Sequence, residues 1–77
     1  MKILVIGAAG MVGRKLTAAL LQAGSIGERR IDAMILADVV APVAPQAALP
    51  IQTIAADLSV PGIAEQLLAE RPEVIFH

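Results

Sequence analysis

Short apolar runs, each closed by a glycine, an aspartate or a proline, recur along this chain and predict its strands. Lys2-Ile3-Leu4-Val5-Ile6 ends at Gly7, and Ala33-Met34-Ile35-Leu36-Ala37 ends at Asp38. Ile51-Gln52-Thr53-Ile54 gives a shorter third strand, and Glu73-Val74-Ile75-Phe76-His77 begins a fourth. Runs of this length are too short for helices, and their apolar residues do not alternate with polar ones, so they read as strands buried on both faces. Between the first two strands the spacing turns helical, from Gly10 or Met11 to Ala23. Val12, Leu16, Ala19, Leu20 and Ala23 fall on one side, leaving Arg14, Lys15, Thr17 and Gln22 to face water. Gly24 is placed to end that helix in the left-handed conformation. Ser25–Asp32 reads as a polar connection, and Val39–Pro50, with Pro42, Pro45 and Pro50, as an extended loop. Ser59 has the chemistry of an N-cap with Pro61 in the first turn. The second helix is expected from about Val60 to Glu70, burying Ile63, Leu67 and Leu68 and stopped by Pro72.

The order β-α-β-β-α-β with fully apolar strands predicts an α/β fold: a parallel sheet with helices on both faces. Right-handed crossovers give the strand order 3-2-1-4, part of a Rossmann-type, doubly wound nucleotide-binding sheet. The fourth strand would stand at an open edge. Residues 1–77 are therefore expected to be the N-terminal NAD-binding half of a Rossmann domain within a longer enzyme. In isolation such a piece is expected to be marginally stable and to self-associate through that edge.

Composition narrows the field. Hydrophobic residues make up 57% of the 77 positions, which excludes a disordered chain. Six basic and seven acidic residues give a formal charge of -1, so no electrostatic footprint for nucleic acid is present. No cysteine or tyrosine occurs, which removes disulfides, thiolate chemistry, Cys-based metal sites and a tyrosine acid or base. The uncharged run Ile3–Gly13 is followed at once by Arg14 and Lys15, unlike a signal peptide, and is shorter than the roughly 20 residues of a membrane span. Prolines break the longer uncharged stretch Val39–Ala56. The expectation is a cytoplasmic protein with no membrane partner.

Gly7-Ala8-Ala9-Gly10-Met11-Val12-Gly13 is a G-x-x-G-x-x-G run that leaves a strand at Ile6 and enters a helix by Met11. A phosphate in that position meets unpartnered backbone N–H groups and the positive end of the helix. Gly7 would permit the tight turn, Gly10 the close approach of pyrophosphate, and Gly13 the packing of helix on sheet. The same glycines could serve a tight turn that binds nothing. A nucleoside-triphosphate loop is excluded, because Arg14-Lys15 follows where Lys-Ser/Thr is required. Asp38, at the carboxyl end of the second strand, stands where an adenosine ribose would lie. Its carboxylate can accept both ribose hydroxyls and repels a 2′-phosphate, and Val39-Val40 offers that phosphate no arginine. NAD is thus expected over NADP. Asp57 alone reads as a turn residue leading into Ser59, and His77 as an ordinary strand residue. One histidine makes no metal site.

GAAGMVG, Asp38 after a strand, Asp57-Leu58 and VIFH together resemble the start of an extended short-chain dehydrogenase/reductase, the NAD-dependent epimerase/dehydratase group. Within it, GSIGERRID and LADVVAP are similar to D-erythronate dehydrogenase-like members, often labelled nucleoside-diphosphate-sugar epimerases. The resemblance covers the whole chain, roughly the first quarter of such an enzyme. It implies that Met11 and Val12 give backbone N–H groups to the pyrophosphate and that Asp38 holds the ribose. By the same resemblance Asp57 meets the adenine amino group and the Leu58 backbone lies beside the ring. Ile6 departs from the threonine usual before the first glycine, and Met11 from a common aromatic. The group's catalytic Tyr-x-x-x-Lys and Ser/Thr would lie downstream, so no catalytic residue is expected here. The resemblance implies an NAD-dependent epimerase, dehydratase or dehydrogenase acting by hydride transfer on a small-molecule substrate, either a sugar nucleotide or a polyhydroxy acid, and a homo-oligomeric enzyme. The alternatives are a non-catalytic NAD-binding regulatory module on the same fold and a structural fragment that binds nothing.

Overall fold

Side chains alternate across a strand, so an unbroken apolar run must be covered on both sides. The computed structural model describes all of Met1–His77. In chain order its elements are β1 (Lys2–Ile6), α1 (Met11–Ala23), β2 (Ser25–Ile26), β3 (Arg29–Arg30), β4 (Ala33–Asp38), β5 (Ile51–Ala55), α2 (Ile63–Ala69) and β6 (Val74–Phe76). One parallel sheet runs β5-β4-β1-β6, the third, second, first and fourth of the anticipated strands. Ile3, Val5, Met34 and Leu36 point to one face with Leu20 of α1. Leu4, Ile35 and Ala37 point to the other, with Leu67 of α2. The helices therefore lie on opposite faces, as a right-handed crossover on each side demands.

Three local readings change. The buried stripe of α1 is Gly13, Thr17 and Leu20, while Val12, Ala19 and Ala23 are exposed. Thr17 does not face water. Its hydroxyl donates to the Gly13 carbonyl at 2.8 Å, so the one polar group on the stripe enters the core with a partner. Helix rotation is set here by the need to bring Gly13 against the sheet, which outweighs the burial of Val12. The polar connection Ser25–Asp32 contains the antiparallel hairpin β2–β3, with Ser25 opposite Arg30 and Ile26 opposite Arg29. Gly27 supplies the positive φ of 59° that its two-residue turn requires.

The third change is at α2, which starts at Ile63 instead of near Val60. Gly62 precedes it in the left-handed conformation and makes no side-chain cap bond. Ser59 does not cap the helix: it lies four residues before Ile63, in a turn where its N–H and hydroxyl both donate to Asp57 Oδ1, at 2.9 and 2.7 Å. Pro61 lies outside the helix, and Leu68 is exposed while Leu67 is buried. At the far end the Lys2 ammonium donates to the Glu70 carbonyl at 2.9 Å, a cation on the negative helix terminus. Arg71 takes φ 59° and donates its N–H to the Leu68 carbonyl. Pro72 then prevents another turn. The Glu73 N–H reaches the Lys2 carbonyl at 2.8 Å and starts the β6 pairing. No helix is long and apolar enough to cross a membrane.

Acidic side chains tie the bottom of the sheet together. The buried Met1 ammonium donates to Asp32 and to the Arg30 carbonyl, and Arg29 donates to Glu73. The Met1 hydrogen bond and charge hold the Asp32 carboxyl below its ordinary range. The Arg29 hydrogen bond does the same for Glu73. A carboxyl lowered in the folded state contributes stability that is complete above the ordinary carboxylate pKa and is lost as pH falls through the lowered value. Thermal melts should therefore be flat from about pH 7 to about pH 5 and fall below about pH 4. Asp32→Asn and Glu73→Gln should each lower the plateau slightly and flatten the acid limb, as melting curves taken across that range would reveal.

Candidate functional site

All four strands of the main sheet are parallel, so their carboxyl ends share one edge. The turn from β1 into α1 lies there, and its conformation is fixed by where its N–H groups go. Gly7 and Ala8 both donate to the Ala37 carbonyl, at 2.9 and 3.1 Å. Ala9 donates to Asp38 Oδ2 at 2.9 Å, and Gly10 to the Gly7 carbonyl at 3.2 Å. The next three N–H groups, on Met11, Val12 and Gly13, open the helix and have no backbone acceptor. Gly10, the N-cap, makes no side-chain cap bond, and no acidic side chain lies in the first turn. The positive end of α1 is thus uncompensated and open, a site suited to an anion.

The three glycines are not equivalent. A Cβ on residue 13 would lie 2.2 Å from the Gly7 carbonyl oxygen and 2.8 Å from the Ala8 Cα, so α1 rests directly on the turn. Gly7 has φ 80°, a conformation other residues adopt at a cost. At Gly10 a Cβ would meet only the Gly7 oxygen at 3.5 Å, an ordinary contact. The fold itself therefore has room for a side chain at position 10.

Asp38 ends β4 with both oxygens engaged: Oδ1 accepts the Val39 N–H at 2.7 Å and Oδ2 the Ala9 N–H. Each carboxylate oxygen has acceptor capacity for a second donor. Asp57, past the end of β5, accepts the N–H and the hydroxyl of Ser59 on Oδ1. That hydroxyl first, and the N–H with it, hold its carboxyl below the ordinary range. Its Oδ2 accepts neither of these bonds.

An open cleft of about 370 Å³ joins these groups, with Gly7, Asp38, Val39, Asp57, Leu58 and His77 among its walls. Four of the eight sequence-predicted residues, Gly7, Asp38, Asp57 and Leu58, line it together. Gly10, Met11, Val12 and Gly13, the N-cap and first residues of α1, do not line it. The side chains of Met11 and Val12 are 73% and 81% exposed, so any contact these residues make across the turn runs through the backbone. Val39, Ser59 and His77 were not anticipated. Val39 was readable as the residue following Asp38. His77 reaches the cleft because β6 pairs directly with β1, which brings the end of the fourth strand beside Gly7.

An uncompensated helix terminus next to a carboxylate at a strand end can take a ligand that carries phosphate at one point and hydroxyls at another. The chain matches the model of the NAD dependent epimerase/dehydratase family over residues 3–77. It is similar to the crystal structure of a nucleoside-diphosphate-sugar epimerase from Agrobacterium tumefaciens, with 51% identity and a TM-score of 0.95. All of this chain is covered in that likeness, and 23% of the epimerase chain. No curated protein matches.

The contrast between the glycines can be measured directly. Gly13→Ala should destabilise the fold by about 2 kcal/mol or more, since backbone on both sides of the clash must move. Gly10→Ala should cost under about 1 kcal/mol, the loss of a favourable N-cap residue. Denaturant melts of the two variants against the parent chain give the comparison.

Proposed function

Because the chain belongs to the NAD dependent epimerase/dehydratase family, we propose that residues 1–77 bind the adenosine and pyrophosphate parts of NAD for an enzyme acting on a sugar nucleotide or a small polyhydroxy acid. One observation supports this most strongly: the N–H groups of Met11, Val12 and Gly13 have no backbone acceptor, and Ala9, in the turn just before them, donates to the Asp38 carboxylate at the end of the neighbouring strand. Pyrophosphate would take the N–H groups and the positive end of α1. The ribose hydroxyls would donate to Asp38, one to each oxygen. Adenine would lie in the cleft against Val39 and Leu58, its amino group donating to Asp57 Oδ2. An ionised carboxylate is only an acceptor, which suits it to the adenine amino donor.

When bound, NAD supplies a nicotinamide that accepts and returns hydride. The part played by residues 1–77 is to hold and orient the dinucleotide so that its reactive ring projects beyond this half of the sheet. The proton transfer that accompanies hydride movement is assigned, through the family resemblance, to a Tyr-x-x-x-Lys pair outside these 77 residues. Likeness to a nucleoside-diphosphate-sugar epimerase favours the sugar nucleotide over the polyhydroxy acid as substrate.

Two titrations of the complete polypeptide that carries residues 1–77 test the reading. NAD should bind more tightly than NADP, and Asp38→Ala should narrow the difference, since the carboxylate that repels a 2′-phosphate is gone. Tighter binding of NADP by the parent protein would refute the preference. Gly10→Val should abolish NAD binding and leave the circular dichroism spectrum native, because the fold has room for the side chain and the pyrophosphate does not. Undiminished NAD affinity in a natively folded Gly10→Val protein would move the site elsewhere.

A further inference from the structure

Between Gly7 and Gly13 the backbone donors divide into a fixed set and a free set, and Asp38 marks the boundary. Gly7 and Ala8 are held by a carbonyl of β4 and Gly10 by the turn itself. Ala9 is held by a side chain alone, Oδ2 of Asp38, 29 residues away. The other oxygen is anchored on the Val39 N–H, so the carboxylate cannot swing without breaking two charge-assisted hydrogen bonds. We infer that Asp38 is a positioning residue for the pyrophosphate as well as the reader of the ribose: by holding Ala9 it sets the turn so that the N–H groups of Met11, Val12 and Gly13 converge on the anion. This inference rests on the NAD reading given above.

The consequence is a coupling between two properties that are usually assigned to separate residues. Discrimination at the ribose 2′ position and grip on the phosphates share one carboxylate. Removing it to admit NADP loosens the turn that every dinucleotide uses. Asparagine keeps one oxygen acceptor for Ala9 but turns its NH2 towards the Val39 N–H, so it discards the charge, the second ribose acceptor and the Val39 anchor while retaining the Ala9 bond. The two substitutions therefore separate the roles.

The experiment is calorimetric titration of the complete polypeptide and its Asp38→Ala and Asp38→Asn variants. The ligands are NAD and an NAD analogue lacking both hydroxyls on the adenosine ribose. Asp38 has nothing to accept from that analogue, so a residue acting only through the ribose would leave its affinity unchanged. A positioning residue predicts a loss of roughly tenfold in Asp38→Ala, the scale of one hydrogen bond, with Asp38→Asn staying within about threefold of the parent. Equal binding of the analogue by the parent and Asp38→Ala overturns the inference and leaves the NAD reading intact. A second measurement needs no variant. Amide hydrogen exchange of the parent without cofactor should find Ala9 protected and Met11 and Val12 exchanging freely, and an unprotected Ala9 overturns the inference. A parent protein that binds neither dinucleotide refutes the NAD reading itself, and the exchange of Ala9 then still decides whether Asp38 braces the turn.

Discussion

The contact that organises this chain is the one between the start of α1 and the turn that leaves β1. With the site of a missing Cβ on residue 13 only 2.2 Å from the Gly7 oxygen, the helix is pressed against the carboxyl end of the central strand. Three things follow from that proximity. The helix lies along one face of the sheet with its N-terminal end at the carboxyl end of β1. The rotation of α1 is settled, with Gly13, Thr17 and Leu20 inward. The turn also becomes so short that its N–H groups must find acceptors in β4, the strand next door. The glycine is therefore first a packing element, and the position of the uncapped helix end is a result of the packing.

The two faces of the sheet are unequally covered. On the α1 side, Leu20 joins the sheet residues in a core cluster that also includes Met1, Ala8 and Ile31. On the α2 side a seven-residue helix contributes Leu67, and Ile75 of β6 stays 45% exposed. Hydrophobic stabilisation scales with the apolar area removed from water, so α1 and its neighbours carry most of it. The candidate site is built on that better-packed side at Gly7–Gly13 and on the thinner side at Asp57–Ser59.

Much of this was legible in the residues. Unbroken apolar runs give strands buried on both faces, and crossover handedness orders them; neither depends on detail. Glycine at both ends of α1 marks its limits. What escaped the sequence was decided by single contacts between distant segments. Val12 looked like the core residue of α1 and Thr17 like a surface one, because hydrophobicity alone cannot register the clash at Gly13 that turns the helix. Ser59 looked like a cap, but the helix starts at Ile63, four residues further on. In the site, the glycines and Asp38 stood out by position, whereas the bond from Ala9 to Asp38 has no sequence signal at all. The predicted strand order already set the fourth strand beside the first, but nothing in the sequence marked His77 as part of a cleft wall.

The bond from Ala9 to Asp38 closes a separation of 29 residues, and the Ala37 carbonyl that receives Gly7 and Ala8 is as remote. Local helix formation in α1 takes well under a microsecond on the usual scale, but it cannot by itself shape the turn in front of it. The turn is completed only when β4 has docked beside β1, a step governed by the entropy of closing the chain between them. During vectorial synthesis the same order holds: α1 can wind as soon as it leaves the ribosome, yet its donor array stays unformed until Asp38 has emerged as well. Ligand competence in this segment is thus a late event in folding, tied to strand pairing and not to the helix that bears the donors.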